Sequence, residues 1–360
     1  MKILHVISSL ATGGAEHLMV DLLPRLRNMG NEVELLCIDG TRTQFYTELE
    51  QAGITIHSLG EGTRMYSPWH AVRIARLIRK GHYDIVHTHN TPAQLLTAAA
   101  KVLCSVVLCT TEHTTSNRRR DLRWYRPIDH WMYSQYRAII CISDQAEVNL
   151  KQYLGEGKYP ISTIYNGIDV AKFANAQPCT ELAEAKGGRK AIVMVAGFRY
   201  QKDQDTLIRA MALLPNDEYE LWLVGDGERR AELEKLTEEQ QVTDRVRFLG
   251  LRSDVPSILK AADIVVMSSH FEGLSLSNLE GMSAGKPFIA SDVDGLREIV
   301  AGNGLLFPHQ DAEAFAHLVT QLSADEALKE RTIKACQQKA AQYDISVMAS
   351  KYNELYNTLI

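Results

Sequence analysis

Short β-rich runs alternate with amphipathic segments twice along this chain of 360 residues, and few folds accommodate that pattern. In the first half, runs such as KILHVI, EVELLCI, DIVHTH and RAIICIS are each followed by a helical pattern or a turn. Such βαβ alternation predicts a parallel sheet covered by helices. Because the chain is longer than one hydrophobic core usually supports, two domains are expected.

The alternation lapses between Gly167 and Gly188, where AQPCTELAEAKGGRK is polar and contains a proline and a glycine pair. This stretch is predicted to be a linker. After it, runs from KAIVMVAGF to NGLLFP restart the same pattern. The sequence therefore predicts an α/β protein with two Rossmann-like domains, at residues 1–170 and 171–342.

Composition narrows the class of protein. The formal net charge of −5 argues against a nucleic-acid-binding protein as a whole. The six cysteines include no CxxC pair, and three of them lie in apolar runs such as VVLC and AIIC, which predicts buried thiols in a reducing cytosol. The start MKILHVISSL is too short for a signal peptide or a membrane span, and no transmembrane segment is expected elsewhere.

Two glutamates eight positions apart, Glu272 and Glu280, follow the run DIVVMSS and enter the next predicted helix. Parallel sheets bind ligands at the carboxyl ends of their strands, so a site is expected here. An ordinary structural explanation is a capping box, in which Glu280 bonds back to a helix start at Ser277. That explanation leaves Glu272 without a role.

The turn EGLS offers a second explanation. Its small residues let the amides of Gly273, Leu274 and Ser275 approach a ligand, and a helix amino terminus attracts phosphate. With a diphosphate on these amides, Glu272 lies on one side of it and Glu280 on the other, since eight helical residues span about 12 Å. That length is comparable to the distance from a sugar ring to a ribose across a diphosphate.

Motifs along nearly the whole chain carry a more specific signal through their order and spacing. They are TGGAEHLMVDLL, DIVHTH, TEHT, CISDQ, YNGID, FRYQKDQDTLIRA, LVGDGERRAEL, FLGLRSDVPSILKAADI and EGLSLSNLEGMSAGKPFIASDVDG. Together they resemble glycosyltransferase family 4, retaining enzymes of the GT-B fold with an E-x7-E signature. The resemblance implies two Rossmann-like domains facing across a central cleft, an acceptor-side domain followed by a nucleotide-sugar-binding domain. We expect the helix at about 343–360 to pack back on the first domain.

The resemblance also assigns roles. It implies that Glu272 contacts the donor sugar and that Glu280 contacts the ribose of the nucleotide. A diphosphate leaving group needs positive charge, which Arg199 and Lys202 in AGFRYQKD supply from a loop after a strand. Many relatives carry the arginine five residues before the lysine, where this chain has Gly197, so we expect Arg199 to reach the phosphate from a shifted loop.

In the first domain, Gly13 and Gly14 at a predicted helix start leave bare main chain that donor phosphates or sugar can approach. By the resemblance, His113 in TEHT contacts the donor sugar near the reacting carbon. His87 and His89 in DIVHTH fit either packing at the end of the sheet or contact with the acceptor.

Three further positions in the second domain complete the predicted donor site. Gly225 in LVGDGE lies at a strand end, and Leu251 and Arg252 in GLRSDV are predicted to offer main chain to the nucleotide base. Both motifs are also ordinary turn sequences. The expected ligands are a UDP- or GDP-linked sugar and a saccharide or lipid-linked acceptor, without any cofactor or metal.

Other classes of enzyme fit less well. A nicotinamide dehydrogenase needs G-x-G-x-x-G after its first strand, and neither SLATGGAE nor GDGERR has that spacing. The D-x-D patterns at 203–205 and 292–294 are typical of metal-dependent transferases but are short enough to arise by chance. An epimerase, a phosphorylase or a non-catalytic nucleotide-sugar-binding module on the same fold remains the alternative. The sequence leaves the base, the sugar and the acceptor open.

Residues 117–137, NRRRDLRWYRPIDHWMYSQYR, combine six arginines and two aspartates with tryptophans and tyrosines. Arginine beside interfacial aromatic rings suits an anionic membrane surface, from which a lipid-linked acceptor could be drawn. The alternative is a partly packed helix whose arginines pair with acidic neighbours. The first interpretation predicts a cytoplasmic protein that is peripheral on the inner face of the cell membrane.

Overall fold

The computed structural model of the protein describes residues 1–11, 13–114, 117–272 and 275–360, with Arg118 described by its main chain only. The chain forms two compact units. Unit 1 comprises Met1–Gly167 and Ile345–Ile360, and unit 2 comprises Ile168–Asp344. The chain therefore passes from unit 1 into unit 2 and then returns to unit 1.

Unit 1 is built around a parallel sheet. Its described strands are β1 (Lys2–Ile7), β2 (Glu32–Cys37), β3 (Thr55–Ser58), β4 (Ile85–His89), β5 (Val107–Glu112), β6 (Ala138–Cys141) and β7 (Ile161–Thr163). They lie in the order β3-β2-β1-β4-β5-β6-β7, and all their pairings are parallel. Strands β4 and β6 are buried throughout, as strands with both faces covered must be.

The helices that precede unit 2 are α1 (Gly14–Asn28), α2 (Gln44–Gln51), α3 (Trp69–Gly81), α4 (Thr91–Lys101), α5 (Arg126–Ser134) and α6 (Asp144–Leu154). Two 3-10 turns, Arg118–Asp121 and Arg123–Tyr125, lead into α5. Helix α6 illustrates the local reasons for these bounds. The Ser143 hydroxyl accepts from the Ala146 amide at 3.3 Å, and Gly155 ends the helix with a φ of 95°.

Unit 2 contains a second parallel sheet. Its described strands are β8 (Lys190–Val195), β9 (Tyr219–Val224), β10 (Val246–Gly250), β11 (Ile264–Met267), β12 (Phe288–Ser291) and β13 (Leu305–Phe307). They lie in the order β10-β9-β8-β11-β12-β13, again with parallel pairing. The expectation of two Rossmann-like domains in tandem is therefore confirmed.

The helices of unit 2 are α7 (Val170–Ala174), α8 (Thr180–Ala185), α9 (Gln204–Met211), α10 (Arg230–Glu239), α11 (Val255–Ala261), α12 (Leu276–Ser283), α13 (Arg297–Val300), α14 (Ala312–Ala324) and α15 (Glu326–Ala341). A 3-10 turn at Thr243–Arg245 precedes β10. The apolar core of the unit lies on both faces of the sheet and includes Trp222, Phe288 and Phe315.

The predicted linker is wrong. Helices α7 and α8 occupy that stretch and insert Phe173 and Leu182, 4% and 3% exposed, into the core of unit 2. The amide of Cys179 also donates to the Ser257 carbonyl at 2.9 Å. Both helices are too short to show a helical apolar period, and for this reason the βαβ alternation is not visible in this part of the sequence.

The last helix, α16 (Ile345–Leu359), packs against α1 in unit 1. Its buried residues are Ile345, Met348, Ala349, Tyr352 and Tyr356. Two of them also satisfy polar groups of the sheet, since the Tyr352 hydroxyl lies 2.9 Å from the Thr111 hydroxyl and the Tyr356 hydroxyl 2.5 Å from His87 Nδ1. The helix is thus part of the interior of unit 1.

Each sheet has a point where the strand order reverses. In unit 1 this point lies between β1 and β4, and in unit 2 it lies between β8 and β11. Loops leaving adjacent strands there diverge to opposite faces, and ligands of such sheets bind outside the carboxyl ends of those strands. The segments that follow β1, β4, β8 and β11 are therefore where a site is expected.

None of the described helices combines the length and the apolar composition needed to cross a membrane.

The six cysteines carry free thiols. Four of these thiols are buried: Cys37, Cys109, Cys141 and Cys336. Apolar runs such as VVLC and AIIC indicated the burial of Cys109 and Cys141, whereas Cys336 lies in the polar stretch TIKACQQK.

Candidate active site

In unit 2, the loop after β8 is held in place by direct main-chain contact with the glycine turn after β9. A Cβ at Gly225, whose φ is 135°, would lie 2.1 Å from the Ala196 carbonyl oxygen, and one at Gly227 would lie 2.5 Å from the Phe198 carbonyl oxygen. The Phe198 amide donates to the Asp226 carbonyl at 3.0 Å. Side chains at the two glycines would displace this loop, which carries Arg199 and Lys202.

Lys202 and Glu272 meet at the carboxyl ends of β8 and β11. The Lys202 ammonium donates to Glu272 Oε1, which also accepts from the Ser269 hydroxyl at 2.8 Å. Gln201 Nε2 donates to the other carboxylate oxygen at 3.3 Å. The side chains of Lys202 and Glu272 are only 16% and 5% exposed, so the pair is a fixed and partly desolvated charge pair.

The Arg199 side chain lies beside Gly197. The side chain is exposed, and its Nε lies 3.8 Å from the position that a Cβ at Gly197 would take. Within residues 1–11, 13–114, 117–272 and 275–360, no hydrogen bond or ion pair holds the Arg199 guanidinium. The guanidinium therefore starts from a different loop position but lies in van der Waals contact with the place where a side chain at residue 197 would begin.

The capping-box explanation for Glu280 is wrong. Helix α12 begins at Leu276 with Ser275 as its N-cap, so Glu280 is the fifth helical residue rather than the third. Glu280 is half-buried and has an interaction partner. Gly273 and Leu274, which are predicted to bind the donor diphosphate through their amides, lie outside the described residues.

The predicted base-binding residues follow β10. The Leu251 side chain is 83% exposed. The Arg252 guanidinium forms two hydrogen bonds with the Asp254 carboxylate, at 2.8 and 2.7 Å, so its side chain is committed to that partner. Neither side chain is arranged to bind a base. The prediction that these two residues contact the base through their main chain stays a prediction.

In unit 1, His113 lines a polar pocket of about 330 Å³ at the ends of β4 and β5. The other lining residues are Tyr66, Asn90, Thr91, Pro92, Gln94, Thr111, Glu112, Thr114 and Asn117. His113 is half-buried, and burial, against the opposing effect of Glu112, lowers its pKa to about 4. Its imidazole is therefore neutral near pH 7 and suited to hydrogen bonding with sugar hydroxyls rather than to binding phosphate as a cation.

Beneath this pocket, Glu112 is the centre of a buried ionic network. Its carboxylate, 4% exposed, accepts from Tyr133 Oη at 2.6 Å, Gln94 Nε2 at 2.6 Å and Arg120 Nη2 at 2.7 Å. Arg119 continues the network with a 3.2 Å ion pair to Asp129. Burial acts to raise the pKa of Glu112, but Arg120 and Arg119 with these hydrogen bonds hold it below its ordinary value.

These contacts favour the second interpretation of residues 117–137, because two of its arginines pair with buried carboxylates. The side chains of Arg119 and Arg120 are each 9% exposed. Neither is available to a lipid headgroup. The exposed part of the segment instead carries Arg123 and Trp124.

The start of α1 is covered by an acidic side chain. A Cβ at Gly13 would lie 2.2 Å from Glu16 Oε2, so the glycine leaves room for the Glu16 carboxylate. Asn90 Nδ2 donates to the other Glu16 oxygen at 3.1 Å. Asn90 itself has φ 70° and ψ 151°, a conformation that is strained for any residue except glycine and that often marks functional sites. Gly14 is the first residue of α1, and a Cβ there would meet nothing.

Two groups of described side chains bring three metal-ligand atoms within 4.8 Å of one another. They are His5 with His87 and His89, and Asp203 with His270 and His309. Hydrogen bonds occupy most of the nitrogen atoms of the first group. In the second, Asp203 caps α9, and His270 Nδ1 lies 2.7 Å from His309 Nε2. Both groups are therefore explained by internal hydrogen bonding.

Comparison with known proteins shows which family the chain belongs to. Residues 12–172 match the model described as Glycosyltransferase Family 4, and residues 182–339 match Glycosyl transferases group 1. The chain is 30% identical over 344 residues to the lipopolysaccharide core biosynthesis glycosyltransferase LpsD of Rhizobium meliloti, covering 92% of this chain and 90% of the relative. The chain belongs to glycosyltransferase family 4.

Other relatives of this transferase agree. It is 26% identical over 384 residues to the UDP-Gal:alpha-D-GlcNAc-diphosphoundecaprenol alpha-1,3-galactosyltransferase of Escherichia coli, covering 100% of this chain and 97% of the relative. The structure of Anabaena Alr3699/HepE in complex with UDP superposes with a TM-score of 0.81 at 21% identity, over 100% of both chains. The expected GT-B fold is confirmed, and the epimerase, phosphorylase and non-catalytic alternatives are not favoured.

The structure brings some of the predicted site residues together within each unit. Lys202 and Glu272 are in contact, Arg199 lies on the same loop as Lys202, and His113 lines the unit 1 pocket. Sequence reasoning missed Glu112 and Asn90. Glu112 carries a detectable signal, because a carboxylate at the end of an otherwise apolar strand needs buried partners. The strained backbone of Asn90 cannot be predicted from the fact that the residue is an asparagine.

Proposed function

We propose that this transferase moves a sugar from a UDP- or GDP-linked donor to a hydroxyl of a saccharide or lipid-linked acceptor, in surface polysaccharide or glycolipid synthesis. The Escherichia coli relative is named for UDP-Gal and a diphosphoundecaprenol acceptor, and the HepE complex contains UDP. The observation that carries the proposal is the Lys202–Glu272 pair at the carboxyl ends of β8 and β11.

The two cations of the loop after β8 suit a departing diphosphate. A charge-assisted hydrogen bond from each cation contributes about 1.5–3 kcal/mol. Lys202 is already fixed against Glu272, while the Arg199 guanidinium is exposed and adjustable. In the proposed complex Lys202 lies between the Glu272 carboxylate at the sugar and the phosphate, and Arg199 completes the charge balance from the Gly197 side.

We propose retention of the anomeric configuration by front-face attack. The bond from the sugar C1 to the diphosphate oxygen breaks, and the acceptor oxygen bonds to C1 from the same face. The departing phosphate oxygen takes the acceptor proton, so no protein base is required. The neutral His113 fits this scheme, because a group with a pKa of about 4 is a weak base at neutral pH.

We further propose catalysis without a divalent metal, because the acidic pairs that could bind one have other partners. Asp205 forms two hydrogen bonds with Arg229, at 2.8 and 2.9 Å. Asp292 forms an ion pair with Arg297 at 2.5 Å. Activity should persist in excess chelator. Activity that is lost in chelator and returns with manganese or magnesium would contradict this part of the proposal.

A donor screen tests the reaction itself. The purified protein is incubated with UDP- and GDP-linked hexoses and a mixture of saccharide and polyprenyl-diphosphate sugars, and products are identified by mass. The expected result is one donor giving an acceptor increased by one sugar, with the donor's anomeric configuration in the product NMR spectrum. An inverted linkage would refute retention, and release of free sugar alone would refute transfer.

We propose that the exposed aromatic surface of unit 1 meets the membrane at the inner face of the cell membrane. Tyr66, Trp69 and Trp124 are 57%, 76% and 66% exposed, and a pocket of about 370 Å³ lies between Tyr66 and Trp124. Aromatic rings beside an arginine such as Arg123 suit the interface of an anionic bilayer. The free thiols agree with a cytoplasmic, reducing compartment.

Sedimentation with anionic vesicles of phosphatidylglycerol and phosphatidylethanolamine tests this surface. The unmodified protein should sediment at low salt, and the double variant Arg123→Ser, Trp124→Ser should not. Leu213→Ser in unit 2, where the leucine is 54% exposed, is the matched control and should sediment normally. If the unmodified protein stays in the supernatant, the surface does not bind membranes.

A further inference from the structure

Three histidine side chains form a continuous hydrogen-bonded row from the interior of unit 1 to the pocket. His113 Nε2 lies 2.9 Å from His89 Nδ1, and His89 Nε2 lies 3.0 Å from His5 Nδ1. The rings of His5 and His89 are nearly parallel, at 10°. The row begins in the middle of β1, passes the end of β4 and reaches the pocket after β5.

The two ends of the row differ in surroundings. His5 Nε2 is buried and has no hydrogen-bond partner among the residues that the structure describes. At the other end, His113 lines the polar pocket. In the described part of the chain, no hydrogen bond is formed by His113 Nδ1. One end of the row is thus buried in protein, and the other lies at the polar pocket.

All three imidazoles are neutral at working pH. Burial lowers the pKa of His5 to about 3 and that of His113 to about 4, and it holds that of His89 well below its ordinary value. Each neutral ring carries one N–H and one lone pair. Every contact in the row needs one donor and one acceptor, so the two hydrogen bonds must run in the same direction.

The buried end decides between the two directions. If the bonds run from His113 to His5, the His5 proton sits on Nε2 as a buried N–H without an acceptor. If they run from His5 to His113, His5 Nε2 keeps only a lone pair. Buried N–H groups without a partner are rarer than under-satisfied acceptors, so the second direction is favoured. It leaves the His113 proton on Nδ1.

We propose that His89, anchored by His5, is a positioning residue that holds His113 in the tautomer protonated at Nδ1. His113 then presents an N–H donor to the pocket and cannot act there as a proton acceptor. The consequence for the reaction rests on the proposed function: the N–H binds a hydroxyl oxygen of the donor sugar and orients the ring. The tautomer itself can be measured without any activity.

His87 provides a matched control inside the same cluster. Its ring stacks on His89 with centroids 4.3 Å apart. Its two nitrogens, however, contact the Tyr356 hydroxyl at 2.5 Å and the Thr111 hydroxyl at 2.8 Å, so they do not lead to His113. A substitution at His87 removes the same kind of buried ring without interrupting the row.

The experiment is nitrogen-15 NMR of histidine-labelled protein at pH 7.5, with His113 assigned through His113→Gln. We expect the unmodified protein to show His113 protonated at Nδ1 and not at Nε2. His89→Leu should move His113 toward the tautomer mixture of a free imidazole. His89→Asn, whose amide can still donate to His113 Nε2, should restore the original tautomer, and His87→Gln should leave it unchanged.

Kinetics adds a second readout. Because the sugar contact exists before and during the reaction, His89→Leu should raise KM for the donor about fivefold with kcat nearly unchanged. His113 protonated at Nε2 in the unmodified protein would overturn the proposal, even if no variant folds. An inactive protein with the expected tautomer would refute the proposed function and leave the assignment of His89 intact.

Discussion

Units 1 and 2 share a parallel-sheet architecture but place the polar groups of their candidate sites differently. In unit 1, His5, His89 and Glu112 lie within the sheet and are 0%, 0% and 4% exposed. In unit 2, the working groups lie on the loops after the strands. Arg199 is exposed, and the Lys202 side chain is 16% exposed. The same sheet thus supports a buried polar interior in one unit and charged loops in the other.

This difference between buried and loop-borne polar groups predicts two different effects of substitution. A polar group inside a sheet must have its partners, so its removal destabilises the unit that contains it. A charge on a loop is partly hydrated, so its removal changes the site more than the fold. Unit 1 should therefore respond to substitution through stability, and unit 2 through turnover.

Glu112→Gln should have the largest effect, a loss of about 3–5 kcal/mol of unfolding free energy, because Arg120 would be left without its buried counter-charge and Arg119 would keep only Asp129. The measurement is urea unfolding followed by tryptophan fluorescence in a Trp222→Phe background. Three of the four tryptophans, Trp69, Trp124 and Trp131, then report on unit 1 alone. Glu147→Gln, which removes a partner from the surface pair with Lys151, is the control. A loss below about 1 kcal/mol would show that the network is dispensable.

Lys202→Ala should lower kcat about 100- to 1000-fold, the usual effect of removing a preorganised charge-stabilising donor. The urea midpoint should fall less than in Glu112→Gln, because Ser269 and Gln201 still hydrogen-bond the Glu272 carboxylate. Steady-state kinetics and unfolding on the same preparation check both halves. A loss below threefold in a normally folded variant would remove Lys202 from the site.

Arg199→Ala should lower kcat about 100-fold, and Gly197→Arg in the same chain should recover part of that loss. The rescue is expected because a Cβ at Gly197 would meet only ordinary contacts, 3.7 and 3.8 Å from its neighbours. Lysine at 197 is the control for charge without the planar guanidinium. If Gly197→Arg rescues nothing, Arg199 does not occupy the role that position 197 has in other members of the family.

The smallest effect is the loss of unit 1 stability with acid. The folded pKa of His5 is about 3 and the unfolded value about 6.5, so the unfolded chain binds more protons between these values. Stability is full above pH 6.5 and falls as pH drops. At pH 6 the loss from His5 alone is about 0.8 kcal/mol. Among the described residues, the buried histidines all lie in unit 1, so the Trp222 signal of unit 2 should shift less.

Much of the fold could be predicted from the sequence. Strand β11 is a continuous apolar run, IVVM, and helix Gly14–Asn28 carries an apolar period long enough to identify. Helices α7 and α8 could not be found, because six or fewer residues give no period and their burial depends on the core of unit 2. Local pattern fails where a segment takes its structure from distant neighbours.

The candidate site was predictable to a different degree in each unit. The charged residues of unit 2 follow their strands directly in sequence, so their meeting at the strand ends follows from topology. The row from His5 to His113 joins residues 84 and 24 positions apart along the chain. Its formation depends on strand order and ring orientation, which residue type does not encode. For Arg119 and Arg120 the sequence was misleading. Their basic run suggested an exposed membrane-binding surface, but both side chains are buried.

Because α16 supplies Tyr352 and Tyr356 to the interior of unit 1, that unit is assembled from two segments that lie on either side of unit 2 in the sequence. On the ribosome, unit 2 can fold while residues 1–167 still await α16. During this interval the sheet of unit 1 exposes polar groups and an apolar face together. Chaperone engagement should therefore concentrate on residues 1–167 of the nascent chain.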